Sequence, residues 1–310
     1  MSVRSAGSDR NTILGLSAIL LWSATVALAR SLSEQIGPLT AGAAVYLAAG
    51  SILGGHLFIR ERSFRRLREL PRLHLFGCGA LFLLYTGALF LALGLAENRH
   101  QAIEAGLLNY LWPALTLLFS LLLLGKRAGA GLVPATLLAL AGVFLVLTPG
   151  TSISWRSFLA NLQGNPAAYG LGLVAAVSWA LYSNLTRRWG EGAGGGAVWL
   201  FTLGTGIAFS LVRLFHPEAG AWSPRAAAEV AVLALGTALG YVFWDLAMRQ
   251  GDMVLVASCS YLTPFFSTLV SCVYLGVLPG IGIWLGCLLI IAGSFWSWRS
   301  IARRSAAAAG

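Results

Sequence analysis

Two segments of this 310-residue chain set a proline and hydrogen-bonding side chains inside apolar runs. The first is Asn109-Tyr110-Leu111-Trp112-Pro113, followed by Thr116 and Ser120. The second is Ser260-Tyr261-Leu262-Thr263-Pro264, followed by Ser267 and Ser271. Asn109, Pro113, Thr116 and Ser120 recur at the spacing of one helical face, as do Ser260, Pro264, Ser267 and Ser271. A proline inside a helix has no N–H and leaves a carbonyl one turn earlier without its donor. In an apolar medium that carbonyl is tolerated only against protein or a wet cavity. The chemistry this allows is reversible binding: helices kinked at Pro113 and Pro264 offer the amide and hydroxyl of Asn109 and Ser260 to a small molecule. The competing reading is packing by small polar residues, and it weighs most for Thr116, Ser120, Ser267 and Ser271.

Aromatic residues form a second group. Trp22, Tyr85, Tyr110, Trp112, Trp179, Tyr182, Tyr241, Trp244 and Tyr261 fall inside apolar runs, whereas Trp155, Trp222, Trp296 and Trp298 stand near run ends, where a membrane-interface belt accounts for them. A deep Trp or Tyr needs a partner for its N–H or O–H, which turns it toward protein. With Asn109 and Ser260, the candidate substrate contacts are Tyr85, Tyr110, Trp112, Trp179, Tyr182 and Tyr261, an aromatic pocket suited to a flat, apolar side chain. The competing reading for each ring is a structural one, and it weighs more for any one of them taken singly. Glu104 and Asp245 are carboxylates within runs and are candidates for charge coupling. Their alternatives are an interfacial position for Glu104 and an i,i+4 pair with Arg249 for Asp245. Gly236 and Gly240 are candidate hinges, or they permit close helix approach like Gly50/Gly54 and Gly282/Gly286. No Lys or Arg falls at an expected midplane, so a phosphate-bearing substrate would meet no cationic clamp.

Other chemistries find no residues to perform them. His56, His74, His100 and His216 are scattered toward run ends, and no G-x-S-x-G nucleophile elbow occurs. Cys78, Cys259, Cys272 and Cys287 have neither C-x-x-C nor Cys/His spacing. Catalytic residues, a metal site and a cofactor are not expected, and the runs are too apolar for a passive channel.

The elements that hold these residues must lie in lipid. Hydrophobic residues make up 57% and charged residues 10%, against about 25% charged in soluble domains. Apolar runs long enough for about 20-residue spans fall near 12–30, 38–59, 73–96, 101–124, 128–148, 167–186, 195–216, 227–248, 254–276 and 279–298. They lack the period-two alternation of a barrel, so the fold expected is an all-α polytopic membrane protein of ten helices. With the N-terminus cytoplasmic, sixteen of the 21 Lys and Arg fall inside, which favours both termini in the cytoplasm. That bias accounts for the net charge of +10 without a nucleic-acid partner. Arg4, Arg10 and Ala27-Leu28-Ala29 mimic a cleavable leader, but the 12–30 run has an internal counterpart, which makes it a first span.

That counterpart belongs to a repeat. A shift of 151 lays Tyr110-Leu111 on Tyr261-Leu262, Pro113 on Pro264, and Ala141-Gly142 with Phe144 on Ala292-Gly293 with Phe295; a shift of 157 lays Trp22 on Trp179 and Arg30 on Arg187. Two five-helix units follow, 1–150 and 151–310. An odd number of crossings inverts the second unit, the arrangement of secondary transporters that alternate access about a midplane site.

The proline-bearing fourth and Ala-Gly-bearing fifth helix of each unit resemble the drug/metabolite transporter superfamily over essentially the whole chain. Asn109 to Pro113 and the stretch Trp179 to Trp189 look like the YddG-type aromatic amino-acid exporters. The resemblance implies efflux of phenylalanine, tyrosine or tryptophan across the bacterial inner membrane, with polyspecific drug or metabolite efflux as the alternative. Many members carry Gly-Glu after the fourth helix of each unit; here Gly125-Lys126 and Gly276-Val277 stand there. The expected partners are a small-molecule substrate and the lipid bilayer.

Overall fold

A computed structural model describes residues 6–61, 70–148, 155–190, 197–275 and 280–307. Every regular element among them is helical: α1 (Ala6–Ile36), α2 (Pro38–Glu61), a π-helical turn (Leu73–Cys78) leading into α3 (Gly79–Gly94), α4 (Arg99–Asn109), α5 (Trp112–Leu123), α6 (Leu132–Leu147), α7 (Trp155–Gly164), α8 (Pro166–Trp189), α9 (Val198–Phe215), α10 (Pro224–Gln250), α11 (Met253–Cys259), a 3₁₀ turn (Ser260–Leu262), α12 (Thr263–Leu275) and α13 (Ile281–Ala307). Gly276-Val277 and the arginines of 62–69 lie outside the described residues.

Seven helical stretches among the described residues are long and apolar enough to cross a membrane, and they coincide with seven of the expected spans. The other three expected spans are α1, α6 and α8. The 16 residues of α6 fall short of the about 20 needed for a perpendicular crossing. Both α1 and α8 are long but carry many polar residues. Several of these turn back on their own helices: Ser23 Oγ donates to Ile19 O, Ser183 Oγ to Trp179 O and Asn184 Nδ2 to Ala180 O. All three are buried, and a helix facing protein on most sides need not be apolar.

Both proline segments interrupt their helices. Between α4 and α5 the backbone tightens, Tyr110 N donating to Gly106 O but Leu111 N to Leu108 O. Pro113 then occupies the first turn of α5, where its missing N–H costs least. Before Pro264 the interruption is the 3₁₀ turn. The Ser260 carbonyl, which Pro264 cannot engage, accepts the Thr263 hydroxyl at 2.8 Å. The connection after residue 148, which looks irregular in sequence, holds α7. Its Trp155, Phe158, Leu159 and Leu162 recur at helical spacing.

The bundle is built from helix pairs: α2 on α9, α6 on α13, α1 on α10 and α3 on α8. Glycines bring several crossings close, and they do so reciprocally. A Cβ on Gly50 would meet Leu203 N at 2.7 Å, and one on Gly206 would meet Leu47 N at 2.6 Å. Gly142 likewise abuts Ile290, and Gly293 abuts Ala139. Gly15 lies against Val256, and Gly172 against Ala105. Shifts of 151, 156 and 157 residues interchange the partners in these contacts, and two of those shifts also align the halves of the sequence. Side chains the size of Cα–H at each crossing let backbones approach where lipid supplies no hydrophobic drive.

Candidate functional site: an aromatic cavity

A cavity of about 530 Å³ runs between α1, α2, α3, α9 and α10, at the end of the bundle away from the start of α1. Ser33, Pro38, Phe90 and Gly94 line its outer part, and Trp22, Tyr46, Tyr85 and Tyr241 its inner part. The Tyr46 and Tyr241 hydroxyls are hydrogen-bonded at 2.7 Å, joining α2 to α10. No charged residue is among the described residues of its wall.

Rings tile the floor. Trp22 packs on Trp179, Tyr241 and Trp244 with centroids 5.7, 5.6 and 5.3 Å away. Tyr85 lies 4.6 Å from Trp179, which stacks on Tyr182 at 5.0 Å. Trp112 meets Trp244 edge-on at 5.3 Å, the geometry that places a positive ring edge on a negative face. Trp244 Nε1 donates to Ser183 Oγ at 3.2 Å, so the deepest indole is not left wanting a partner.

Beneath the rings the bundle is closed by polar groups. Arg249 donates to Asp245 Oδ2 through Nε at 2.8 Å and through a terminal nitrogen at 2.6 Å, with both side chains 3% exposed. Asp245 Oδ1 has no hydrogen-bond partner. Arg187, in the last turn of α8, donates to the carbonyls of Met248 (3.1 Å) and Gly251 (2.8 Å) at the end of α10. A cation there satisfies the carbonyls that a helix C-terminus leaves open. Asn11 reaches Gln250 at 3.0 Å, and Thr12 Oγ1 accepts from Asp252 N at 2.8 Å, fastening α1 across the same end.

Of the aromatic residues singled out from sequence, Tyr85 lines the cavity together with Trp22 and Tyr241, while Trp112, Trp179 and Tyr182 stand behind its floor. Gly240 gives Trp22 its place: a Cβ there would lie 2.6 Å from the indole nitrogen. Gly236 is buried one turn earlier on α10. Pro113 and Pro264 sit at the two interruptions, and Asn109, Tyr110, Ser260 and Tyr261 lie around them, away from this cavity. Tyr110 and Tyr261 pack in a separate apolar cluster with Phe265 and Ile290. The Ser260 hydroxyl donates to Ala257 O at 2.6 Å. Asn109 is buried with its Oδ1 unpartnered.

Both carboxylates are buried in the bundle. Glu104, 1% exposed, accepts from the Tyr169 hydroxyl and, at 3.1 Å, from Asn161 Nδ2 of α7. It pins α7 and α8 to α4 and does not line the cavity. Asp245 is part of the closure. Among the described residues no group of three His, Cys, Asp or Glu side chains gathers to hold a metal. Sequence reasoning passed over Tyr46 and Thr237, both in the cavity wall. Their signal was faint: a lone tyrosine between Gly42 and Gly50, and a threonine one turn before Tyr241.

The EamA-like transporter family model matches this chain twice, over residues 11–148 and 166–299. The chain is 33% identical over 296 residues to the aromatic amino acid exporter YddG of Escherichia coli K12, covering 95% of this chain and 99% of that one. It is 33% identical over 298 residues to the exporter of the same name from Salmonella typhimurium, at 96% and 99% coverage. The Ancylobacter novellus exporter of that name is 34% identical over 295 residues, at 91% and 95%. A crystal structure superposes with a TM-score of 0.79 at 29% identity, over 94% of this chain and 98% of that one. With its cavity between paired helices and its two matches to one family model, this chain belongs to the EamA-like transporter family.

Proposed function

We propose that this protein is a secondary transporter, and not an enzyme, that exports phenylalanine, tyrosine and tryptophan across the bacterial inner membrane by alternating access. One observation carries the reading: a cavity walled by rings and hydroxyls lies in a chain whose relatives, over 95% of its length, are named aromatic amino acid exporters. About 530 Å³ is within the range of small-molecule sites, roughly 300–1,000 Å³, and the ring-tiled floor suits a flat apolar side chain.

The reading includes ten spans in two inverted units, 1–150 and 151–310, with both termini cytoplasmic. The double match to the family model, the interruptions before Pro113 and Pro264, and the reciprocal glycine contacts support it. The cavity then opens outward, and Arg187 with the Asp245–Arg249 pair closes the cytoplasmic side. Tyr85 touches the substrate in this state, backed by Trp112, Trp179 and Tyr182. Asn109, Tyr110, Ser260 and Tyr261 join the path as the chain flexes at Pro113, Pro264, Gly236 and Gly240. A ligand is carried only if it lowers the barrier between the two states.

Counterflow tests this directly. Purified protein in liposomes preloaded with phenylalanine should accumulate labelled phenylalanine or tryptophan well above protein-free vesicles. Equal signals from both refute the reading.

A further inference from the structure

The cavity wall contains more hydroxyl groups than the fold uses. In the Tyr46–Tyr241 pair one hydroxyl hydrogen lies between the two oxygens, which are 2.7 Å apart. A phenol carries one donor hydrogen, so the pair keeps a second with no protein acceptor. One turn before Tyr241, Thr237 lines the same wall and its hydroxyl makes no hydrogen bond to protein, unlike that of Thr86 nearby, which donates to Phe82 O. Three hydroxyls on α2 and α10 thus converge on the cavity with two donor hydrogens uncommitted.

Two other polar groups nearby are already committed. Ser33 also lines the wall, but its hydroxyl donates to Ala29 O at 2.8 Å. Trp244 is committed to Ser183. A phenol already accepting a hydrogen bond becomes a stronger donor, because the chain of bonds polarises. In a low-dielectric wall such a donor favours an anionic oxygen, and a bond of this kind is shorter and about twice as strong as a neutral one.

We propose that Tyr46, Tyr241 and Thr237 form a carboxylate subsite, which receives the α-carboxylate of the substrate while its ring lies on the Trp22 floor. This rests on the transport reading above and deepens it. The amino group is then not what selects the ligand: an aromatic carboxylic acid should occupy the site, and an aromatic amide or amine should not.

The test uses full-length protein in detergent or liposomes, with labelled phenylalanine displaced by unlabelled analogues. For wild type, 3-phenylpropionate should compete within a few-fold of phenylalanine, while phenylalaninamide should be weaker by about tenfold or more, the loss expected for one charge-assisted hydrogen bond. Tyr241→Phe and Thr237→Val should each weaken phenylalanine by a similar factor and narrow the gap between acid and amide. Tyr46→Phe should act in the same direction, because either phenol of the pair can be the one whose hydrogen faces the ligand. Equal competition by acid and amide in wild type, or undiminished phenylalanine affinity in a folded Tyr241→Phe protein, overturns the subsite and leaves aromatic transport intact. Failure of wild type to bind phenylalanine at all removes the transport reading and this subsite together.

Discussion

Asp245 and Arg249 lie four residues apart on α10, a spacing that on an exposed helix would contribute a few tenths of a kcal/mol. Burial changes the arithmetic. Both side chains are 3% exposed, and an unpaired charge at such a site costs about 3–5 kcal/mol, much more than the pair itself contributes. Asp245→Asn should therefore lower the thermal unfolding midpoint of the detergent-solubilised protein sharply. Asp245→Asn combined with Arg249→Gln should recover most of the loss, because no lone charge remains. Unchanged melting in the single variant would mean that water reaches the pair. Glu104 poses the opposite case. Its partners Tyr169 and Asn161 lie outside the cavity wall. Glu104→Gln should leave the preference among aromatic amino acids as it was and cost about 1–3 kcal/mol of stability, the range for weakening a buried, charge-assisted hydrogen bond. Counterflow with cationic and zwitterionic substrates, beside a melting curve, separates the two effects.

At the scale of the helices, the contact between α6 and α13 has little room to yield. A Cβ on Gly142 would lie 2.5 Å from the Gly286 carbonyl and 2.8 Å from Ile290 N, and backbone cannot move aside as a flexible side chain can. Gly142→Leu should abolish the folded, monodisperse species in size-exclusion chromatography, whereas Gly87→Leu, with open space around it, should not. The existence of most helices was legible from apolar runs, since lipid requires about 20 such residues whatever the tertiary contacts. The interruptions at Tyr110 and Ser260 were legible through proline. The segment α7 was not, because its four large apolar residues sit among Arg156, Asn161 and Gln163 in a stretch bounded by Pro149 and Pro166. The cavity itself was only partly legible. Tyr85 stood out as a deep tyrosine, but the pairing of Tyr46 with Tyr241 spans 195 residues and depends on how α2 crosses α10, which no local pattern encodes. Asn109 and Ser260 drew attention as polar groups one turn before prolines, yet they lie beside the interruptions and do not line the cavity.

At the scale of the molecule, the two ends of the bundle are unequal. One end holds the cavity; the other is shut by stacked rings, a buried ion pair and a guanidinium reaching from α8 to the last carbonyls of α10. Removing that guanidinium with Arg187→Gln leaves those carbonyls without their cationic donor. A single cysteine placed at Thr237 should then react more slowly with a membrane-impermeant thiol reagent added outside, on a background without the native cysteines. An unchanged rate would mean that Arg187 does not help hold the end closed. On the inverted-repeat reading proposed above, the shifts that interchange the glycine contacts take Arg187 to Arg30 and Met248 to Glu97, so the bolt on one door would have its mirror on the other. There the strike plate would carry a carboxylate of its own, and in the cytoplasm-facing state of that same proposal the two opposite charges should draw together. A disulfide between cysteines at 30 and 97 would then trap the protein shut toward the outside.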